Sequence, residues 1–119
     1  VLYQLRLQGT VPILAHPERN VCFANNTDEF SKFTENGCLV QMDAGSILGD
    51  YGRTAKSFAK KLIRENKVNF IASDAHRPQD YTDRYPQAFN TVVSWAGEEY
   101  AKKLFSENPN IIFQAKNEQ

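Results

Sequence analysis

Val68-Asn69-Phe70-Ile71-Ala72-Ser73-Asp74-Ala75-His76 reads as a buried strand whose apolar, β-branched run stops abruptly in Ser-Asp-Ala-His. Asp74 and His76 are two apart. At strand spacing both fall on one side, so a carboxylate oxygen and an imidazole nitrogen can converge on a single point, most simply a metal ion. The alternative is an Asp that caps the next loop beside a polar surface His, and so short a motif does not separate the two. Similar strand ends earlier in the chain favour a shared site.

Working outward, residues 11–15 form a short apolar strand with Pro12 near its start, and it runs straight into His16-Pro17-Glu18-Arg19. Residues 39–43 form another strand ending at Asp43. The glycine-rich stretch 44–52 that follows matches neither the P-loop nor the dinucleotide fingerprint, and it reads as a loop of tight turns. Helices are expected over 1–9, with Gly9 as the stop, and from an Asn26-x-x-Glu29 capping box through Phe30 and Phe33 to Gly37. A third covers 54–66, burying Ala55, Phe58, Ala59, Leu62 and Ile63 and turning its Lys and Arg residues to water. Two more run from Pro86 to Gly97 and over 98–107, stopped by Asn108-Pro109, with a short extension at 110–113 and a frayed tail at 114–119.

Composition narrows the class. With 119 residues, 14 basic and 14 acidic side chains and a formal net charge of zero, the chain reads as one globular unit without long-range attraction for polyanions. Its Lys and Arg residues look scattered rather than gathered into a stripe with interleaved aromatics, so nucleic-acid binding is not expected. No apolar run is long enough for a membrane span and no signal peptide is seen. Two cysteines, Cys22 and Cys38, fit a reduced cytoplasmic setting as small core or loop residues. The start without Met reads as a piece of something longer.

Strands separated by helical segments argue for an α/β fold with parallel pairing. In such folds the site lies at the C-terminal ends of the strands, where His16, Glu18, Arg19, Asp43, Asp74 and His76 fall. Three strands are few for a closed or doubly wound sheet, so the chain reads as an arc of a barrel.

Three blocks together resemble a known family. Pro12-Ile13-Leu14-Ala15-His16-Pro17-Glu18-Arg19, Gln41-x-x-Ala44-Gly45-Ser46-Ile47-Leu48-Gly49-x-Tyr51-Gly52 and Phe70-Ile71-Ala72-Ser73-Asp74-Ala75-His76 are similar, in order and spacing, to blocks of the bacterial PHP-superfamily protein-tyrosine phosphatases. These are manganese-dependent enzymes of capsular and exopolysaccharide synthesis. The resemblance implies the C-terminal portion of a distorted (β/α)7 barrel, with residues 1–119 as one partial PHP domain. It implies His16, Asp74 and His76 as metal ligands, two or three Mn ions in a complete site with Fe or Zn as alternatives, and Arg19 gripping the substrate phosphate. A second arginine follows the Asp-Ala-His block in the family; Arg77 is adjacent and Arg84 farther along, and Arg84 is the choice here. Asp43 stands where the family usually has Asn or Thr, as an added ligand or a perturbation.

The family's N-terminal Asp-x-His-x-His block and the Glu and His ligands after it have no counterpart, so the chain alone is expected to be incomplete, with strand edges open to self-association. The implied substrate is the phosphotyrosine of a bacterial tyrosine autokinase. Bound divalent metals suit that chemistry because they neutralise charge and lower the pKa of water, and the planar guanidinium of Arg19 suits phosphate oxygens. Glu18 reads equally well as a structural partner of Arg19 or as a catalyst. A cysteine phosphatase needs Arg six positions after its Cys, where Cys22 and Cys38 have Asp28 and Ala44. Neither Ser46 nor Ser73 sits in a Gly-x-Ser-x-Gly elbow. The alternatives are a related phosphoesterase acting on a small phosphate monoester and an inactive remnant serving as an interaction module.

Overall fold

The computed structural model describes residues 2–6, 10–73 and 83–108. Asp74, His76, Arg77 and the terminal stretch 110–119 lie outside the described residues. Four strands form one sheet in the order β1 (Leu2–Arg6), β2 (Thr10–Ala15), β3 (Leu39–Asp43) and β4 (Phe70–Ala72). β2, β3 and β4 run parallel, with Ala15 opposite Gln41 and Asp43 opposite Ala72.

The first strand corrects the expectation of a helix over 1–9. β1 pairs antiparallel with β2, Leu2 opposite Leu14 and Arg6 opposite Thr10. A short apolar run does not declare its period, and pairing along a neighbouring edge satisfies its backbone groups better than an isolated helical turn.

Between β2 and β3 lie α1 (Val21–Asn25) and α2 (Thr27–Glu35). The cap that matters is Asn20, whose Oδ1 accepts from the backbone N–H groups of Cys22 at 2.9 Å and Phe23 at 3.4 Å. Asn26 makes no side-chain cap bond. It also ends α1, donating its N–H to the Cys22 carbonyl, and its backbone at φ −139°, ψ 86° serves both helices.

The stretch after β3 is helical rather than a loop. α3 (Ala44–Leu48) closes at Gly49, whose φ of 91° is a left-handed conformation suited to glycine. α4 (Arg53–Arg64) then buries Ala55, Phe58, Ala59, Leu62 and Ile63, as the spacing predicts. Each of the three large side chains contributes about 1.5–3 kcal/mol by leaving water. α5 (Tyr85–Ala96) and α6 (Glu98–Lys102) follow, and the last expected helix continues from α6 as a π-helical turn, Lys103–Glu107, that buries Leu104.

One core joins these layers. Leu14, Val40, Met42 and Ile71 present a single sheet face to Phe30, Phe58, Leu62, Ile63, Val92 and Leu104. Phe30 sits edge-on to both Phe23 and Phe58, with ring centroids 6.0 and 5.9 Å away.

β4 is only three residues long, and side chains complete its hold on the sheet. Asn69 N–H donates to the Val40 carbonyl at 3.0 Å while Asn69 Oδ1 accepts from Val40 N–H at 2.7 Å. The Tyr100 hydroxyl donates to the Val68 carbonyl at 2.9 Å and accepts from Val68 N–H at 3.3 Å. Tyr85 donates to the Ile71 carbonyl at 3.1 Å. The C-terminal helices thus fix the strand that leads to Ser73.

Tyr100→Phe removes both bonds to Val68 and is expected to lower stability by about 1–2 kcal/mol in urea titrations. Burial pushes the Tyr100 phenol above its ordinary value, partly offset by its bond with Val68. A raised folded value means that its contribution is full below the unfolded value near 10 and is lost as pH rises through the folded one. The parent should therefore lose stability above about pH 10 more steeply than Tyr100→Phe; parallel alkaline profiles would refute this.

Candidate functional site

β2 ends at Ala15, and the chain turns at His16 in a left-handed conformation, φ 39° and ψ 57°. That conformation is unfavourable for a residue with a Cβ and is held by two backbone bonds. His16 N–H donates to the Gln41 carbonyl at 2.6 Å, and the His16 carbonyl accepts from Arg19 N–H at 3.1 Å. Pro17–Arg19 then forms a single 3-10 turn, which sends Glu18 inward and leaves Arg19 partly exposed.

Glu18 is 1% exposed. Its Oε2 accepts from the Asp43 backbone N–H at 3.1 Å and from Ser46 Oγ at 2.7 Å. Its Oε1 is buried with no partner among the described residues. Burial raises the carboxyl to about 7; the bonds from Ser46 and Asp43 N–H pull the other way, and the nearby Asp43 charge adds to the rise. A protonated Oε1 would carry no buried charge. Of the two readings open for Glu18, the structural partner of Arg19 is corrected: its Oε2 is committed to the β3–α3 junction.

Arg19 is held instead by Asp43 and Tyr51. Its Nη1 lies 3.2 Å from Asp43 Oδ2, and its Cζ stands 3.9 Å from the centroid of the Tyr51 ring. Asp43 is 3% exposed, so the arginine offsets a charge that burial alone would penalise. The ring fixes the guanidinium plane from one side. His16 and Arg19 line a cleft of about 360 Å³ with Ala15, Pro17, Asn20 and Phe23.

Arg84 forms an ion pair with Asp50, the neighbour of Tyr51. Both arginines singled out from sequence thus contact the same short segment. Gly45 lets the side chains of this segment pack closely: a Cβ there would stand 3.1 Å from both Asp50 Oδ2 and Tyr51 Cε2. Sequence alone does not mark Asp50 and Tyr51 as site residues, and it sets Ser46 aside as a nucleophile without pointing to its bond with Glu18. All three lie in the glycine-rich block, whose distinctive spacing was their one available signal.

The structure brings together His16, Glu18, Arg19 and Asp43 at the ends of β2 and β3. Asp74 and His76 lie outside the described residues; the chain is described one residue past β4, to Ser73, after the Asp43–Ala72 pairing. Among the described residues there is no group of three or more His, Cys, Asp or Glu side chains that could hold a metal ion. His16 is one nitrogen donor; beside it Glu18 Oε2 is engaged by Ser46 and the Asp43 N–H, and Asp43 Oδ2 by Arg19. The described donors alone do not make up a metal site.

Residues 1–114 match the family model for capsular polysaccharide synthesis, CpsB/CapC. The chain is 39% identical over 90 residues to CapC of Staphylococcus aureus, covering 76% of this chain and 35% of that protein. It is 31% identical over 114 residues to the tyrosine-protein phosphatase YwqE of Bacillus subtilis, covering 96% and 44%. A chain from the crystal structures of YwqE from B. subtilis and CpsB from Streptococcus pneumoniae, described as unique metal-dependent tyrosine phosphatases, matches with a TM-score of 0.80 at 29% identity. That match covers 92% of this chain and 44% of the solved one. The chain spans less than half the length of these relatives.

Glu18→Ala leaves the Asp43 N–H and the Ser46 hydroxyl buried without their acceptor and opens a cavity, with an expected loss of about 2–4 kcal/mol in urea titrations. Glu18→Gln keeps an acceptor in place and is expected to cost less than half as much. Equal losses would show that side-chain volume, not the hydrogen bonds, holds this junction.

Proposed function

The chain belongs to the CpsB/CapC family of capsular polysaccharide synthesis proteins, and we propose that it forms the phosphate-gripping part of a metal-dependent tyrosine-protein phosphatase. One observation carries this reading: a partly exposed guanidinium, Arg19, is pinned by Asp43 and Tyr51 beside His16 in one cleft.

In this reading Arg19 binds phosphate oxygens with the N–H groups that Asp43 leaves over. Asp43 and Tyr51 position it in advance, so less side-chain freedom is lost when substrate arrives. Arg84, tied to Asp50 on the same segment, is the second phosphate ligand. His16, Asp74 and His76 are the metal ligands from this chain, and Mn is the metal, with Fe or Zn as the alternatives that mixed His and carboxylate donors accept. Such a metal supplies charge neutralisation and a water of lowered pKa when bound. The tyrosine leaving group, with a phenol pKa near 10, needs little acid assistance.

The greater length of the relatives supports taking residues 1–119 as one part of a PHP-type barrel, with further ligands supplied from outside this stretch. The substrate is phosphotyrosine on a bacterial tyrosine kinase that regulates capsular or exopolysaccharide synthesis, met in the cytoplasm. No helix among the described residues is long and apolar enough to cross a membrane.

The test compares metal content and hydrolysis of a phosphotyrosine peptide and histidinol phosphate by the full-length protein. The expected result is bound Mn and a preference for the peptide. Arg19→Ala should lower kcat/KM by about 10²-fold with metal content unchanged, whereas His16→Ala should lower both. Full activity without bound metal, or a preference for histidinol phosphate, would overturn the reading.

A further inference from the structure

α4 has two unlike faces. Its buried side is wholly apolar, while the outward side carries Arg53, Lys56, Lys60, Lys61 and Arg64. At 100° per residue these five cations fall within an arc of roughly 140°, opposite the buried residues. The helix contains no acidic residue, although the chain as a whole is balanced at 14 basic and 14 acidic. The basic residues that look scattered in sequence are thus gathered by the helix into a stripe.

Among the described residues none of these five makes an ion pair. The ion pairs of the described residues join Arg19, Arg84, Lys67 and Lys102 to acids, and Lys60 stands 5.8 Å over the Trp95 ring. Two clefts, of about 410 and about 350 Å³, flank the stripe and share Ser57 and Lys61. The first also presents the hydroxyl residues Thr27 and Thr54. Glu65, the acid of the second, is bound by Lys67 at 3.0 Å.

The stripe leads away from the candidate site. α4 starts two residues after Tyr51, whose ring carries Arg19, and packs against the Pro17–Arg19 turn. From Arg53 to Arg64 the helix rises about 16 Å, the reach of some five residues of extended chain.

We propose that the outward face of α4 docks an acidic peptide segment, holding carboxylates that flank a phosphotyrosine while the phosphate reaches Arg19. The choice of a peptide rests on three features: positive charge without an acidic partner among the described residues, hydroxyl groups able to meet a peptide backbone, and shallow, open clefts along the helix. A bilayer fits worse, because the apolar side of α4 faces the core and offers nothing to insert. The phosphate end of this scheme rests on the phosphatase reading above; the docking face does not.

The test uses the full-length protein and its Lys56→Gln/Lys60→Gln/Lys61→Gln/Arg64→Gln form, since Gln is about as good a helix former as Lys or Arg. A fluorescein-labelled decapeptide with Glu on both sides of a phosphotyrosine, its Gln counterpart and an unphosphorylated Glu version are the probes. The parent is expected to bind the Glu peptides by anisotropy at least about tenfold more tightly than the Gln peptide at low salt. Affinity should fall steeply with added salt. The fourfold form should lose that preference while hydrolysing phenyl phosphate like the parent. Equal preference in both forms, or tighter binding to phosphatidylserine vesicles than to the Glu peptides, would overturn the docking face. Failure to hydrolyse any phosphotyrosine probe would strike the phosphatase reading alone, because the unphosphorylated Glu peptide reads docking by itself.

Discussion

The buried carboxylate of Glu18 joins parts of the chain that the sheet alone would leave independent. It enters from the turn after β2 and takes hydrogen bonds from the backbone at the end of β3 and from the first turn of α3. A buried acceptor of this kind has few alternatives. With water excluded, its partners must come from the protein, and any shift of α3 would strand an N–H and a hydroxyl as well. The strained backbone of His16, one residue before the turn, is sustained by this closure and by its own bond to Gln41.

That anchoring explains how two arginines distant in sequence come to rest on one short segment. Asp43 and Tyr51 bracket α3 and both engage Arg19, while Asp50 engages Arg84. The turn is tight enough that Gly45 leaves no ordinary room for a side chain beside Asp50 and Tyr51. A guanidinium held this way has its charge partly offset on one edge and its plane set by a ring.

α4 makes the same point at larger scale. Its apolar side welds the sheet to the helices, and its other side collects positive charge that the described residues leave without counter-charge. The helical period separates the two. Net charge, a sum over the whole chain, is blind to that separation.

Much of the architecture could be read from the chain itself. The apolar runs leading into His16 and Asp43 mark the ends of β2 and β3, and the three- and four-residue spacing of Phe58, Leu62 and Ile63 marks α4. These signals are local, because burial on one face imposes its period on neighbouring residues. The likeness of three spaced blocks to one family was legible for the same reason, since the spacing of residues around a strand end is a property of sequence. Other features depended on groups far apart in the chain. Leu2–Arg6 became a strand because β2 offered an edge, 44–48 became helical between anchors at Glu18 and Gly49, and Arg19 was paired with Asp43 rather than Glu18. Sequence alone determined where β2 and β3 end and which face of α4 is apolar. Tertiary structure decided which charges meet, because pairing energy falls with distance through space, and the order of residues along the chain does not set that distance.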